Sequence, residues 1–298
     1  MARHAETLEP VAVLGVGTMG RGMAVSCLRA GIPTVVWDRD PARSHDLTGL
    51  GATVAPTAAE AAASAAIVVT MVSDLDAVMS IATDHGMLSA LAPGAVWVQM
   101  STIGTGIDRV AELVNHQRPD VALLDAPVSG SKEPAERGEL TIFASGPDHT
   151  RARVAPLFAA IGQRTVWVGP VGAGSRMKLV ANTLLAFKAE GLASAVAVAH
   201  SLGLGTDAVI DALGDGPLLS AWDSAKLGRM AKGDYGAQFS LALALKDVHL
   251  ALATVDASRF EAFAALAHEW ERAVARGLGG EDLTVVARAL ERDGGEGA

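Results

Sequence analysis

Two groups of residues in this chain have the types and spacing to do chemistry. The first is Lys178 with Asn182, four apart and so on one face of any helix that carries them. A lysine inside an apolar helical run is costly to bury unless something pairs with it, whereas near a helix end it can snorkel to solvent. Residue type alone leaves both readings open. An ammonium placed beside a carbonyl could donate a proton and offset the negative charge that grows on oxygen. The second group is Gly15-Val16-Gly17-Thr18-Met19-Gly20 with Asp38 further on. Gly15 would permit a tight turn, Gly17 a close approach of backbone to a pyrophosphate, and Gly20 close packing of helix on strand. A helix starting there offers unpaired N–H groups to phosphate. Asp38 suits a ribose hydroxyl and repels a 2′-phosphate, which favours NAD; Arg39 beside it could hold that phosphate and favour NADP.

The surrounding pattern supplies the elements that a glycine fingerprint requires. Residues 11–14 read as a buried strand, a helical pattern runs to Ala30 with Gly31 as its stop, and Thr34-Val35-Val36-Trp37-Asp38 is β-branched. Further strands are expected at 53–55, 67–71, 95–99 and 121–125, then at 140–144 and 165–168 near the sheet's far edge. Helical patterns between them imply a parallel sheet covered on both faces. Loops at the carboxyl ends of such strands bind ligands. Three are rich in hydroxyls and glycine, Met71-Val72-Ser73-Asp74, 100–104 and 125–131; each alone could simply cap the following helix, but three together on the ligand side favour a site.

A Gly/Pro cluster at 169–174 then opens a helical run to about Leu204, apolar on nearly every side, as in a helix buried all round. Lys188 and Glu190 interrupt it and make it a poor membrane span. Beyond it every segment reads as helical: 207–213, 220–230, 240–255, 260–276 and 282–292. Lys246-Asp247 sits in apolar sequence, which predicts a buried, ligand-facing lysine. The expected fold is α/β, with an N-terminal Rossmann-type doubly wound parallel sheet over 1–172. An all-helical domain over 173–298 follows, its first helix, 173–204, joining the two. A polar leader (1–9) and a disordered tail from Asp293 flank them.

With 298 residues, half of them apolar and 19% charged, the chain can build two cores. A net charge of −9 and no run of lysines or arginines argue against nucleic acid or a membrane as partner. Cys27 stands alone, so no internal disulfide is expected, and the eight histidines lack ligand-like spacing, so no metal is expected. No secretory pattern opens the chain, which makes a cytoplasmic protein the default. The apolar helical domain suggests a homodimer or homotetramer.

Over nearly its whole length the chain resembles the β-hydroxyacid dehydrogenases, among them 3-hydroxyisobutyrate dehydrogenases and glyoxylate/succinic semialdehyde reductases. The motifs that carry the resemblance are Gly15 to Gly20 with Met23-Ala24, Ser101-Thr102, Asp125-Ala126-Pro127-Val128-Ser129-Gly130-Ser131, Gly172 to Asn182, and Phe239 with Lys246-Asp247. Residues 129–140 look most like the semialdehyde reductase branch, although many relatives have glycine where Ser131 stands and asparagine where Ser26 stands. The resemblance implies that Lys178 is the catalytic acid/base and that Asn182 helps hold the substrate. Ser129, Gly130 and Ser131 would bind a substrate carboxylate. Thr102, Lys246 and Met71, Val72 and Ser73 would meet the NAD or NADP cofactor. The reaction expected is interconversion of a small hydroxyacid with its aldehyde or keto acid. Two rivals are an imine reductase, whose family usually places another residue at Lys178, and an inactive dehydrogenase fold serving as an interaction module.

Overall fold

The computed structural model describes residues 8–214 and 216–292. The expected tail from Asp293 and most of the leader lie outside them. The chain forms two compact units that divide after Lys178.

The first unit begins with strand β1 (Val11–Leu14), helix α1 (Thr18–Arg29) and strand β2 (Thr34–Trp37). Strands β3 (Thr53–Val54), β4 (Ile67–Thr70), β5 (Val96–Gln99) and β6 (Ala122–Asp125) alternate with α2 (Ala58–Ala63), α3 (Leu75–Ala82), α4 (Met87–Ala90) and α5 (Ile107–Gln117). The six strands pair in parallel in the order β3-β2-β1-β4-β5-β6. Both faces are covered, and the period-two alternation of a strand shows it. Val11 and Val13 enter one core with Met23, Ala24 and Cys27, whereas Ala12 and Leu14 enter another with Val68 and Trp97. The order reverses between β1 and β4, so the ligand crevice of this topology opens at their carboxyl ends.

Residues 140–144 and 162–167 do not extend that sheet. They form a second one, in which β7 (Val128–Ser129) pairs antiparallel with β8 (Leu140–Ala144), and β8 pairs parallel with β9 (Gly162–Trp167). Pro127 explains the departure. It has no N–H to give to a continuing ladder, and its carbonyl instead accepts the Phe143 N–H at 2.9 Å. Helices α6 (Lys132–Arg137) and α7 (Arg151–Ile161) join these strands.

Helix α8 (Ala173–Ser201) is followed by α9 (Thr206–Leu213), α10 (Ala221–Ala231), α11 (Leu241–Leu252), α12 (Glu261–Ala275) and α13 (Val286–Arg292). The expectation that α8 is buried all round is wrong. Leu179, Ala186, Ala189, Ala193 and Val196 face the core of the second unit. On another face Val180 and Leu184 are 64% and 65% exposed, in line with Phe187 and Val198. By length and composition α8 could cross a membrane. In the fold, its buried stripe is taken up by helices of its own unit.

A buried ion pair organises the rest of that unit. The Lys226 ammonium donates to Asp282 at 2.9 and 3.0 Å, and Asp282 also accepts the Thr284 hydroxyl and the N–H groups of Gln238 and Phe239. So many donors hold the Asp282 carboxyl below the usual carboxylate range despite its burial. Removing one partner of such a pair typically costs about 3–5 kcal/mol.

Glu190 on α8 is the opposite case. Its carboxylate accepts the Trp270 indole N–H at 2.8 Å, but burial and the neighbouring Glu269 push its pKa above the ordinary value. Folded Glu190 therefore binds its proton more tightly than the unfolded chain does, and stability is lost as pH rises through that raised pKa. Glu190→Gln keeps an acceptor for Trp270. It should raise Tm by about 2 °C or more at about pH 8, with the gain fading toward about pH 4, as thermal melts across that range would show.

Candidate active site

At the crevice between β1 and β4 the three glycines of the fingerprint do three different things. Gly15 has φ +93°, and a Cβ there would lie 2.5 Å from the Met71 carbonyl oxygen. A Cβ on Gly20 would lie 1.9 Å from the Gly15 oxygen, so α1 can start this close to β1 only with glycine at that position. Over Gly17 the space is open, with only the Arg43 Nη1 3.7 Å from where a Cβ would stand. Gly17 caps α1 without any side-chain hydrogen bond, and the next residue, Thr18, is exposed. The first turn of α1 thus presents backbone N–H groups to an open cradle, which fits the pyrophosphate of a dinucleotide.

Asp38 closes one side of this turn. Its Oδ2 accepts the Val16 N–H at 2.8 Å and its Oδ1 accepts the Asp40 N–H at 2.9 Å, so the carboxylate faces the glycine turn. Arg39 is exposed. Arg43, which sequence reasoning passed over, returns to the turn because Asp40-Pro41 starts a 3-10 helix capped by Asp40; its Nε lies 3.6 Å from Asp40 Oδ2. The one cue in the sequence was a second arginine four residues after Arg39.

The loops after β4 and β5 are locked to each other. Met71 donates its N–H to the Leu14 carbonyl and Val72 its own to the Ser101 hydroxyl at 2.8 Å. Buried Gln99 accepts the Ser101 N–H at 2.6 Å and donates to the Ser101 carbonyl at 2.9 Å. The Ser101 hydroxyl is therefore scaffold, holding half-buried Thr102 and the 71–73 loop in place. Ser73 donates to Asp74, which in turn caps α3 through the Ala77 N–H.

Ser129 ends β7. Gly130, at φ +134°, has no room for a Cβ, which would stand 2.6 Å from Leu140 Cδ2. Ser131 sits at the N-cap of α6 without making a side-chain capping bond. Helix α6 is seated on α1. Gly22 meets Ala135 too closely for a side chain, and the buried Ser26 hydroxyl donates to the Ala135 carbonyl at 2.9 Å. The loop 129–131 is thereby registered to the helix that starts at the glycine turn.

Lys178, half-buried, lies on α8 three residues beyond Ser175. Ser175 donates its N–H and its hydroxyl to Asp125, each at 2.7 Å. Burial raises the Asp125 pKa above the ordinary range, and the Ser175 and Ser145 donors pull it back in part. In the second unit Asn182 is buried and its Nδ2 donates to Asp247 Oδ2. Lys246 lies 2.9 Å from the same carboxylate. Lys246 is half-buried and not buried as expected: its side chain keeps 26% of its exposure while its ammonium stays on Asp247, the buried member of the pair. The first unit thus carries residues 15–20, 38, 71–73, 102, 129–131 and 178, and the second gathers Asn182, Lys246 and Asp247.

Residues 10–169 match the model of the NAD binding domain of 6-phosphogluconate dehydrogenase, and residues 172–290 that of the NAD-binding of NADP-dependent 3-hydroxyisobutyrate dehydrogenase. The chain is 31% identical to glyoxylate/succinic semialdehyde reductase 1 of Arabidopsis thaliana, over 94% of its own length and 98% of the relative's. It is also 31% identical to an NAD-dependent L-serine dehydrogenase of Pseudomonas aeruginosa, over 84% of its length and 87% of the relative's. The crystal structure of a 3-hydroxyisobutyrate dehydrogenase from Salmonella typhimurium aligns with a TM-score of 0.85 at 27% identity, covering 94% of this chain and 99% of that one.

Proposed function

The chain belongs to the β-hydroxyacid dehydrogenase family, oxidoreductases that act on a CH–OH group with a nicotinamide cofactor, and within that activity we propose that Lys178 is the general acid/base for a small carboxylate-bearing substrate. The observation that carries this reading is the seating of α8. A Cβ on Gly174 would stand 2.7 Å from the Asp125 carbonyl oxygen and 2.4 Å from that of Phe143. The helix therefore starts at the carboxyl end of β6, the ligand side of the sheet, with Lys178 one turn along.

The nicotinamide, when bound, supplies or takes the hydride. The chain's residues do the rest. The Lys178 ammonium gives its proton to the substrate oxygen as negative charge builds there, and in oxidation the neutral amine takes the hydroxyl proton. Ser129 and Ser131 offer hydroxyls, and the 129–131 backbone offers N–H groups, to the substrate carboxylate. The Asn182 amide nitrogen is directed at Asp247, which leaves its Oδ1 as the acceptor for a substrate hydroxyl. Short aldehydes and hydroxyacids such as glyoxylate, succinic semialdehyde and methylmalonate semialdehyde fit this scheme. The names of the similar proteins, a glyoxylate/succinic semialdehyde reductase and an L-serine dehydrogenase, support that class.

Preference for NAD rests on Asp38, whose carboxylate sits beside the glycine turn where a 2′-phosphate would be repelled. The apolar line Val180, Leu184, Phe187 and Val198 along α8 supports a homodimer or homotetramer in which a second copy covers it.

Three measurements test this reading. Lys178→Ala should lower kcat by about 10²–10⁴-fold, in a panel of these aldehydes with NADH and NADPH, while cofactor affinity by fluorescence titration changes less than about twofold. Turnover close to the parent's would remove Lys178 from the role. Asp38→Asn should shift the NADPH-to-NADH ratio of kcat/KM upward by roughly tenfold; an unchanged ratio would place cofactor choice elsewhere. Light scattering should give a mass of at least twice 30.4 kDa, and a monomer would leave the α8 line without its cover.

A further inference from the structure

Asp125 is wholly buried at the last residue of β6, and among the described residues no lysine or arginine forms a salt bridge with it. Every donor it meets is neutral. The Ser175 N–H and hydroxyl each reach it at 2.7 Å, and the Ser145 hydroxyl stands 3.2 Å from Oδ2. Ser145 also accepts the Gly174 N–H at 2.9 Å, and its backbone is paired with that of Asp125. The Ala173 N–H goes to the Pro170 carbonyl and that of Arg176 to the Gly172 carbonyl. The opening N–H groups of α8 are thus satisfied, two of them by side chains at the ends of β6 and just beyond β8.

A local cap would have served the helix alone. An acid fifty residues earlier in the chain does something more, since it ties the first turn to the sheet in position and in rotation. Gly174 leaves no slack, because a Cβ there would overlap two strand carbonyls. Lys178 follows Ser175 by three residues, about 4.5 Å along the axis, and a slip of one residue would turn its side chain by about 100°.

We propose that Asp125 is a positioning residue for the reaction, fixing through Ser175 the height and rotation at which α8 presents the Lys178 amine to the substrate oxygen. The proposal rests on Lys178 being the proton donor. Asn at 125 would keep the shape but put an NH2 donor in place of one acceptor oxygen, facing the Ser175 N–H or hydroxyl, while the Ser145 hydroxyl keeps the Asp125 main-chain carbonyl at 3.0 Å.

The test compares Asp125→Asn, Ser175→Ala, their combination and Lys178→Ala in one assay, with reduced cofactor carrying deuterium at the transferred position. Asp125→Asn should lower kcat by about 10–100-fold and raise the isotope effect on kcat, with KM for the cofactor held within about twofold. Ser175→Ala should move the same quantities less, and the double variant should be no worse than Asp125→Asn alone. A merely structural bond would lower Tm and leave kcat and the isotope effect of the folded protein at the parent's values. That outcome in Asp125→Asn, or in Ser175→Ala should Asp125→Asn fail to fold, overturns the proposal. If Lys178→Ala is impaired while the Asp125 and Ser175 variants are not, only the positioning role falls. Full turnover in Lys178→Ala removes the lysine reading and this proposal with it.

Discussion

One desolvated carboxylate, that of Asp125, joins three parts of the first unit. It ends the parallel sheet, pairs through its backbone with Ser145 just after β8, and takes the first turn of α8 through Ser175. An unpaired acid at zero exposure is unfavourable in itself, and its raised pKa records the cost of burial. What offsets that cost is geometric. Its two oxygens accept several donors at once, and they lie against the positive end of a helix macrodipole. The register of α8 on the sheet, and with it the starting point of the lysine, depends on that match.

The glycine turn after β1 and the acid just after β2 were the most legible part of the chain. Glycine spacing, a preceding strand and a terminal acid are all local features, and each has a direct steric or hydrogen-bonding cause at Gly15, Gly20 and Asp38. Pairing between distant segments was less legible. The strand β7 is two residues long, too short for a periodic signal, and its antiparallel partner lies beyond an intervening helix. Side chains whose role is set by the fold were misread for the same reason. Ser101 lies in a loop whose hydroxyls suited either a ligand or a helix cap, and it holds the loop after β4. Arg43 comes beside Gly17 through a 3-10 turn that no periodicity announces.

Helix α8 shows how far composition reaches. Its abundance of alanine, leucine and valine marks apolar surroundings but does not say whose atoms supply them. Within this chain one stripe meets the core of the second unit while Val180 and Leu184 stay exposed. Lys246-Asp247 makes a related point about length. Of two adjacent charged residues in apolar sequence, the shorter one is buried and oriented toward Asn182, and the longer one stays half-buried with its ammonium on that same aspartate. Asp247 thereby belongs with Asn182, and no residue-type cue separated it from its neighbour.

The central claim is that the Lys178 amine meets the reacting oxygen. A crystal structure of the enzyme with oxidised cofactor and a bound small hydroxyacid tests it most directly. The expected result is Lys178 Nζ within about 3.2 Å of the substrate hydroxyl, with the substrate carboxylate on residues 129–131. An amine beyond hydrogen-bonding reach, with another side chain holding that hydroxyl, would contradict the account.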